Sequence, residues 1–247
     1  EMGRVLKFAE KKFGKDFIFL FTSDHGGQWP FGKWNLYDYG TRVPLQVRWP
    51  GKIKANIRTS AMVSWVDILP TLIDLAGGSV PQGIDGKSFA PVLFGKSKSH
   101  REMIFTTNTG DKEMNIFPIR SVRKGQYKYI HNLRPDAYHT NHSDRLRLDG
   151  RGAYWYSWYD AAKTYPKAAE IVKRYHTRPE FELFDLQKDP SELSNLANRK
   201  KFQSKLSELR AELKKWTTAQ GDDLLPHQEP YLTKHPIPEI IRPPKKK

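Results

Sequence analysis

The pattern of apolar and polar positions predicts an α/β beginning to this chain. Apolar residues at helical spacing in residues 5–13 predict an amphipathic helix that packs beside the next strand. An apolar run at residues 16–22 predicts a buried strand, and residues 44–49 predict a second one. A further helix is predicted over residues 65–76 and ends at a glycine pair. Its buried side is expected to consist of Val66, Leu69, Ile73 and Leu75.

After a short polar connector at residues 95–99, the pattern changes to short alternating strands. These strands are predicted at residues 103–107, 119–123, 127–132 and 181–186. Gly125 lies in the short turn between the second and third of them, which predicts a hairpin and an antiparallel sheet. Apolar residues that recur at helical spacing between Phe202 and Trp216 predict a helix lying across that sheet.

Two segments show no regular period. Residues 135–176 are rich in Tyr, Trp, His and Arg, and we expect an irregular segment that contacts substrate or another subunit. Residues 221–247 contain six prolines and end in three lysines. We expect a tail without regular structure that either wraps the surface or extends from it.

Composition narrows the classes of function without choosing one. The 247 residues, 13% of them aromatic, suffice for a folded core. The chain has no cysteine, which excludes disulfides and thiolate zinc sites within it, and no apolar run reaches the about 20 residues of a membrane span. The net charge of +15, with basic clusters at residues 120–124 and 145–151, favours a nucleic acid or a sulfated glycan as partner. An ordinary solvated surface without a polyanionic partner explains the excess of basic residues equally well.

Candidate chemistry begins where the first predicted strand ends, at Asp24 and His25. A strand that ends in a carboxylate and an imidazole, followed by two glycines, is typical of sites at the strand ends of open α/β sheets. The alternative is structural, with Asp24 capping a turn and His25 lying on the surface. The residues that follow favour the functional interpretation.

Several short motifs follow one another in the order Ser23-Asp24-His25-Gly26, Lys33, Arg42-Val43-Pro44-Leu45 and Pro50-Gly51. In this order and spacing the chain resembles the sulfatase family, from about Gly3 to about Trp216. Residues 63–72, 83–89 and 184–196 are similar to later parts of the same family. Asn35-Leu36-Tyr37 and residues 117–133 look most like the heparan N-sulfatase (sulfamidase) branch.

The resemblance implies a fold class and a division of the chain. We expect an α/β fold, in which the C-terminal part of an alkaline-phosphatase-like sulfatase domain precedes a small antiparallel-sheet subdomain with a packing helix. The expected domains are residues 1–94, residues 95–220 and a Pro/Lys-rich tail at 221–247. Sulfatases carry a longer portion ahead of these residues, and the first helix looks like part of a crossover whose earlier strands are missing. We therefore interpret the chain as a C-terminal fragment.

The resemblance also implies roles for particular residues. Asp24 and His25 match positions that ligate Ca²⁺, although histidine is a less usual ligand for a hard cation. Lys33 matches the cation that contacts the sulfate oxygens, and His131 is a weaker candidate for a substrate contact. The family's nucleophile is a formylglycine made from Cys or Ser, in a motif that this chain lacks. We expect the catalytic residues outside this chain, and the chain alone to be inactive.

The activity that the resemblance implies is hydrolysis of sulfate esters or sulfamates. The expected substrate is a sulfated glycan or a small sulfated compound and not a nucleic acid, and the family suggests a periplasmic or secreted protein. One alternative is a phosphatase or phosphonate hydrolase of the same superfamily, and another is a non-catalytic polyanion-binding module. Loss of activity with a chelator favours a metal hydrolase, whereas steep salt dependence without chelator sensitivity favours the binding module.

Overall fold

The computed structural model describes residues 1–110, 116–145, 152, 154–226 and 229–236. Part of the basic cluster, including Arg147 and Arg151, and the end of the predicted tail lie outside the described residues. The chain forms two compact units. The first unit contains residues 1–24 and 43–104, and the second contains residues 25–42 and 105–247. In the described part of the chain, the helices are too short or too polar to cross a membrane.

The described residues form the following regular elements. The helices are α1 (Met2–Phe13), α2 (Asp38–Thr41), α3 (Ile68–Leu75), α4 (Ala90–Leu93), α5 (His142–Arg145), α6 (Tyr154–Thr164), α7 (Pro166–His176) and α8 (Gln203–Ala219). Single 3₁₀ turns at Trp65–Asp67 and Lys200–Phe202 precede α3 and α8. The strands are β1 (Phe19–Thr22), β2 (Leu45–Arg48), β3 (Met103–Asn108), β4 (Ile119–Lys124), β5 (Tyr127–Asn132) and β6 (Phe181–Asp185).

The first unit is built on a two-stranded antiparallel sheet. β1 and β2 pair with Phe19 opposite Arg48, and Arg48 Nη2 donates to Glu10 Oε1 of α1 at 2.6 Å. The predicted burial was wrong, because β1 is only half-buried and α1 has no buried residue. Two strands have too little area to cover the apolar side of a helix. The apolar residues of α1 that remain more than half exposed are Val5, Phe8 and Phe13.

The helix predicted over residues 65–76 forms as a 3₁₀ turn followed by α3. It ends as predicted, since Gly77 has φ 75° and the Gly78 N–H donates to Ile73 O at 2.9 Å. Its buried side is not the predicted apolar side, because Val66 is 49% and Leu69 is 60% exposed. The buried residues of this helical segment are instead Asp67, Pro70 and Thr71.

Asp67 explains which side of α3 is buried. Its carboxylate accepts hydrogen bonds from the backbone N–H groups of Ser64 and Lys87, both at 2.9 Å, and from Arg101 Nε at 2.7 Å. The Thr71 hydroxyl donates to Asp67 O at 2.6 Å and accepts from the Phe89 N–H at 2.9 Å. Because buried polar groups need such partners, this network decides the packing of α3 and the apolar stripe does not.

A four-stranded sheet organises the second unit, in the order β3-β4-β5-β6. The strands lie where they were predicted, and β5 pairs antiparallel with both β4 and β6. The predicted hairpin is also present, because Lys124 lies opposite Tyr127 and Gly125 adopts φ 57°. The predicted helix is confirmed as α8, which packs across the sheet with Trp216 stacked on Phe105 at 4.9 Å between ring centroids.

Both faces of this sheet are covered, because side chains alternate along each strand. Tyr127 of β5 lies under Lys205 of α8, whereas the next residue, Lys128, reaches Leu36 O on the opposite face. That opposite face is covered by residues 31–38, which no sequence pattern assigned to a core. The apolar cluster on this face includes Leu36, Tyr37, Phe117, Ile119, Ile130 and Phe184.

A buried ion cluster around Lys128 holds residues 31–38 against the sheet. The Lys128 ammonium lies 2.5 Å from Asp38 Oδ1, 2.9 Å from Glu192 Oε1 and 3.2 Å from Leu36 O. The Asp38 N–H donates to Glu192 Oε2 at 2.6 Å, and Arg123 Nη1 donates to Asp38 Oδ2 at 3.1 Å. Burial raises the pKa of Glu192, although the Lys128 ammonium acts in the opposite direction. Buried Glu192 therefore depends on Lys128 for a counter-charge, whereas Asp38 also has Arg123.

The segment at residues 135–176, predicted as irregular, is largely helical, so that prediction was wrong. α6 and α7 pack on each other as a helical hairpin around Trp155 and Tyr175, whose ring centroids are 4.5 Å apart. Pro166 at the start of α7 and basic residues in its last turn follow the usual preferences at helix ends. The period was obscured because aromatic residues occur on both sides of α6, where exposed Tyr156 follows buried Trp155.

The described part of the C-terminal tail wraps the surface of the second unit. Leu232 forms an isolated antiparallel bridge with Ala137. The Tyr138 N–H donates to Tyr231 O, and the Thr233 N–H donates to Asp136 O, both at 2.7 Å. This is one of the two arrangements that the prolines of the tail predicted.

Replacing Asp67 is expected to destabilise the first unit. Asp67→Asn leaves the Arg101 guanidinium without its buried counter-charge, at a cost of about 3 kcal/mol. Hydrogen bonding from Arg101, Lys87 and Ser64 outweighs burial and holds the pKa of Asp67 below its usual range. The wild-type protein should therefore lose this contribution as pH falls below about 4, and the variant should lack that step. Thermal unfolding against pH tests this, with exposed Glu170→Gln as control; identical profiles would contradict it.

Lys128→Met is expected to lower the free energy of unfolding of the second unit by about 3–5 kcal/mol, because buried Glu192 loses its cation and Asp38 keeps only Arg123. The control is Lys163→Met, whose ammonium pairs with Asp160 on the surface with 74% of the side chain exposed. That variant should change stability by less than about 0.5 kcal/mol. Chemical denaturation of the complete protein measures both, and equal midpoints would show that Lys128 does not anchor this unit.

Candidate functional site

The segment that carries Lys33 is a compact loop closed by three glycines, and we call residues 26–40 the glycine loop. A Cβ on Gly26 would lie 1.7 Å from Tyr39 O, and one on Gly32 would lie 2.1 Å from Gly27 O. A Cβ on Gly40 would lie 2.4 Å from Gly32 O. The Gly26 N–H donates to Gly40 O at 3.0 Å, which joins the two ends. Only glycine fits these close backbone approaches, so the sequence at these positions dictates the shape of the loop.

Lys33 is half-buried on the glycine loop. Its N–H donates to Gly27 O at 2.9 Å, and its ammonium lies 4.6 Å from the ring centroid of Trp34. Trp34 adopts φ 66° and stacks on His142 of α5, with ring centroids 5.0 Å apart and an interplanar angle of 18°. A cation over an aromatic face keeps its charge and has a restricted position. The loop therefore presents Lys33 as a positioned positive charge.

Residues 35–37 anchor the glycine loop to the sheet. Arg178 Nη2 donates to Asn35 Oδ1 at 2.5 Å, and the Tyr37 hydroxyl donates to Glu182 Oε2 at 2.8 Å. Asn132 Nδ2 donates to the other oxygen of Glu182 at 2.8 Å. Burial first, and then the charge of Glu182, raise the pKa of Tyr37, so its hydroxyl stays protonated as a donor. The residues that resembled the sulfamidase branch therefore hold the loop in place.

Asp24 and His25 lie at the point where the chain passes from one unit to the other, and each is described within its own unit. Asp24 is exposed and follows β1 in the first unit, as predicted. His25 is half-buried in the second unit, with Nδ1 2.7 Å from Gly26 O. In the neutral ring this contact places the proton on Nδ1 and the lone pair on Nε2, the tautomer suited to metal ligation through Nε2.

The residues present fit a calcium site in part. Ca²⁺ takes about six to eight oxygen ligands, and an exposed carboxylate such as that of Asp24 has the right chemistry. The imidazole of His25 is a poorer match for a hard cation. Across the described ranges, no group of three His, Cys, Asp or Glu side chains is arranged to hold a metal ion. The described part of the chain therefore supplies at most a portion of a ligand set.

His131 and Lys33 lie on opposite sides of the four-stranded sheet. His131 is on β5 with its ring 5.1 Å from that of Phe181, which in turn carries Arg210 of α8 at 4.6 Å. His131 Nε2 is 3.7 Å from Glu180 Oε1. Burial lowers the pKa of His131 despite this carboxylate. The substrate contact of His131 stays a prediction, and its observed neighbours belong to the packing of α8.

Sequence reasoning missed three aromatic residues in and against the glycine loop. Trp34 and His142 form the stack under its ammonium, and Trp29 packs on Tyr154 with ring centroids 5.8 Å apart. The available signal was the concentration of aromatic residues on both sides of Lys33. Their partners lie more than a hundred positions away, so that no local period could have joined them.

Comparisons with known proteins match most of this chain to sulfatases. The family model described as N-sulphoglucosamine sulphohydrolase, C-terminal, matches residues 26–142, which include the glycine loop and Lys33. An ulvan-active sulfatase of Formosa agariphila is 34% identical over 234 residues, covering 93% of this chain and 38% of that protein. The N-sulphoglucosamine sulphohydrolase of Homo sapiens is 30% identical over 219 residues, covering 81% of this chain and 41% of that protein.

A solved structure described as a 2-O GAG sulfatase has a TM-score of 0.62 and 27% identity, covering 92% of this chain and 44% of that one. This match confirms the predicted α/β fold of sulfatase type. The chain spans about two fifths of the length of the curated relatives, 42% and 38% for two of them. It is a member of the sulfatase family and corresponds to the C-terminal portion of its relatives.

Proposed function

We propose that the complete protein is a sulfatase that hydrolyses sulfate esters or sulfamates of a sulfated glycan, in the manner of N-sulfoglucosamine sulfohydrolase. The observation that carries the proposal is the placement of Lys33, a half-buried residue on a backbone-closed loop whose ammonium lies over the Trp34 ring. The sulfatases and the sulfohydrolase among the relatives support the same reaction class. We assign Lys33 as the residue of this chain that contacts the sulfate oxygens.

The surroundings of Lys33 suit an anionic group. Among the residues that the structure describes, no carboxylate lies within salt-bridge distance of its ammonium. The cation over the Trp34 ring is therefore available to an external anion, and a tetrahedral sulfate presents several oxygens to it. During cleavage, negative charge develops on the departing group and redistributes over these oxygens. A preplaced cation stabilises that charge without having to reorganise.

We assign Asp24 and His25 as two ligands of a Ca²⁺ ion, with the remaining ligands and the formylglycine nucleophile outside this chain. Asp24 offers carboxylate oxygens at a strand end, and His25 offers Nε2 in the tautomer that its contact with Gly26 O favours. A bound Ca²⁺ would neutralise sulfate charge and orient the sulfur for attack. A contact between His131 and the substrate is a weaker proposal, because His131 packs on the α8 side of the sheet, away from Lys33.

Lys33→Ala in the complete protein is expected to lower kcat for sulfate release from N-sulfated glucosamine by about 10²–10³-fold, the usual effect of removing one preplaced oxyanion partner. Lys33→Arg should retain more of the activity because it keeps the charge. Ion chromatography of released sulfate measures the rates. The matched control is Lys167→Ala, an exposed lysine of α7. If Lys33→Ala and Lys167→Ala turned over equally fast, Lys33 would not contact the sulfate.

Asp24→Asn is expected to weaken Ca²⁺ binding by the complete protein about 10-fold or more, since a neutral amide replaces an anionic ligand. Isothermal titration calorimetry measures the Kd directly, with exposed Asp223→Asn as control. EDTA should abolish sulfate release, and added Ca²⁺ should restore it. Unchanged Ca²⁺ affinity in Asp24→Asn would remove Asp24 from the site. Activity that resists EDTA but falls steeply with salt would instead favour polyanion binding without metal chemistry.

A further inference from the structure

Trp29 is an exposed aromatic residue in the same loop as Lys33. Its side chain is 66% exposed, and Tyr39 at the far end of the loop is comparably exposed at 63%. Trp29 differs from Tyr39 in lying only four residues from Lys33, and an aromatic ring close to a positioned cation is suited to contact a ligand that is apolar in one part and anionic in another. Lys33 and the glycine loop do not need this ring, because the hydrogen bonds that close the loop join backbone atoms.

The backbone around Trp29 is fixed. Trp29 O accepts from the Gly32 N–H at 2.9 Å, and the neighbouring Lys33 N–H donates to Gly27 O at 2.9 Å. A Cβ on Gly27 would lie 2.5 Å from Trp29 Cδ1, so the glycine leaves room for the indole to fold back over the loop. Trp29 and Lys33 therefore project from one rigid turn.

The indole of Trp29 is supported from one side. Its ring centroid lies 5.8 Å from that of Tyr154, at an interplanar angle of 46°. Tyr154 begins α6 and contacts Trp155 and Trp158 with centroids 6.0 Å and 6.1 Å away. Ser143 Oγ also donates to Gln28 O at 3.4 Å, next to Trp29. The helical hairpin thus holds the ring in position and leaves most of its surface exposed.

We propose that Trp29, supported by Tyr154, is a stacking platform for a sugar ring adjacent to the sulfated sugar, so that the preferred substrate is a sulfated oligosaccharide. This inference rests on the proposed sulfatase function. Aromatic rings pack on the apolar C–H face of a sugar, whereas the sulfate group needs a cation, and this turn carries one of each. Trp29 is then a specificity-determining residue, and Lys33 contacts the group that reacts.

The test compares two probes with the same terminal sugar, N-sulfated glucosamine as a monosaccharide and an N-sulfated heparin tetrasaccharide. In the complete protein, Trp29→Ala should lower kcat/KM for the tetrasaccharide about 10-fold or more, through KM, and leave the monosaccharide within about twofold. Trp29→Phe should retain most of the preference. Tyr165→Ala is the matched control, because Tyr165 is 67% exposed in the same unit and far from the loop in sequence.

Other outcomes overturn the proposal. Equal effects on both probes, or no effect on either, would mean that Trp29 does not recognise a second sugar. A lower unfolding temperature or a changed oligomeric state in Trp29→Ala, with an unchanged probe ratio, would mean that protein covers the ring. A wild-type protein that releases no sulfate from either probe would refute the proposed function. In that case, the Kd of the tetrasaccharide from calorimetry tests whether Trp29 stacks on a sugar ring. Binding about tenfold weaker in Trp29→Ala than in the wild type supports the stacking, and an equal Kd overturns it.

Discussion

The second unit depends on one buried cation. Lys128 is only 2% exposed, and its ammonium contacts Asp38 of the glycine loop, Glu192 beyond β6 and the carbonyl of Leu36. Because a charge is costly to leave unpaired in the interior, these three distant segments fix one another's positions. This cluster helps to hold the glycine loop on the sheet, and the loop in turn determines the position of Lys33.

Much of the second unit could be predicted because its information is local. The strands at β3–β6, the hairpin at Gly125 and α8 follow from alternation, turn chemistry and helical spacing. The burial of α3 could not be predicted in this way. Its buried side is set by the hydrogen bonds of Asp67, whose partners Lys87 and Arg101 are distant in sequence. The helix α6 was missed because aromatic residues on both of its sides obscured the period, a reason that does not extend to α7, where Tyr175 is the one Phe, Tyr or Trp residue.

The candidate site likewise contains features that the sequence located and features that only the structure shows. Lys33 was located from the order of short matching segments, and the structure adds the Trp34 and His142 stack that restricts its ammonium. His131 came from the same kind of resemblance, yet strand alternation puts it on the α8 side of the sheet. A motif can therefore identify a residue without telling which face of a sheet it serves. Only the pairing register and the neighbours of each strand provide that information.

The backbone closure of the glycine loop divides its positions into two groups. Gly26, Gly32 and Gly40 cannot be enlarged without collision with carbonyl oxygens, so a larger residue there would displace the backbone that carries Lys33. The side chains at residues 28–30 take no share in that closure among the described contacts, and they can be exchanged one by one. The side chains at these three positions can therefore diversify while the backbone that carries the ammonium keeps its shape.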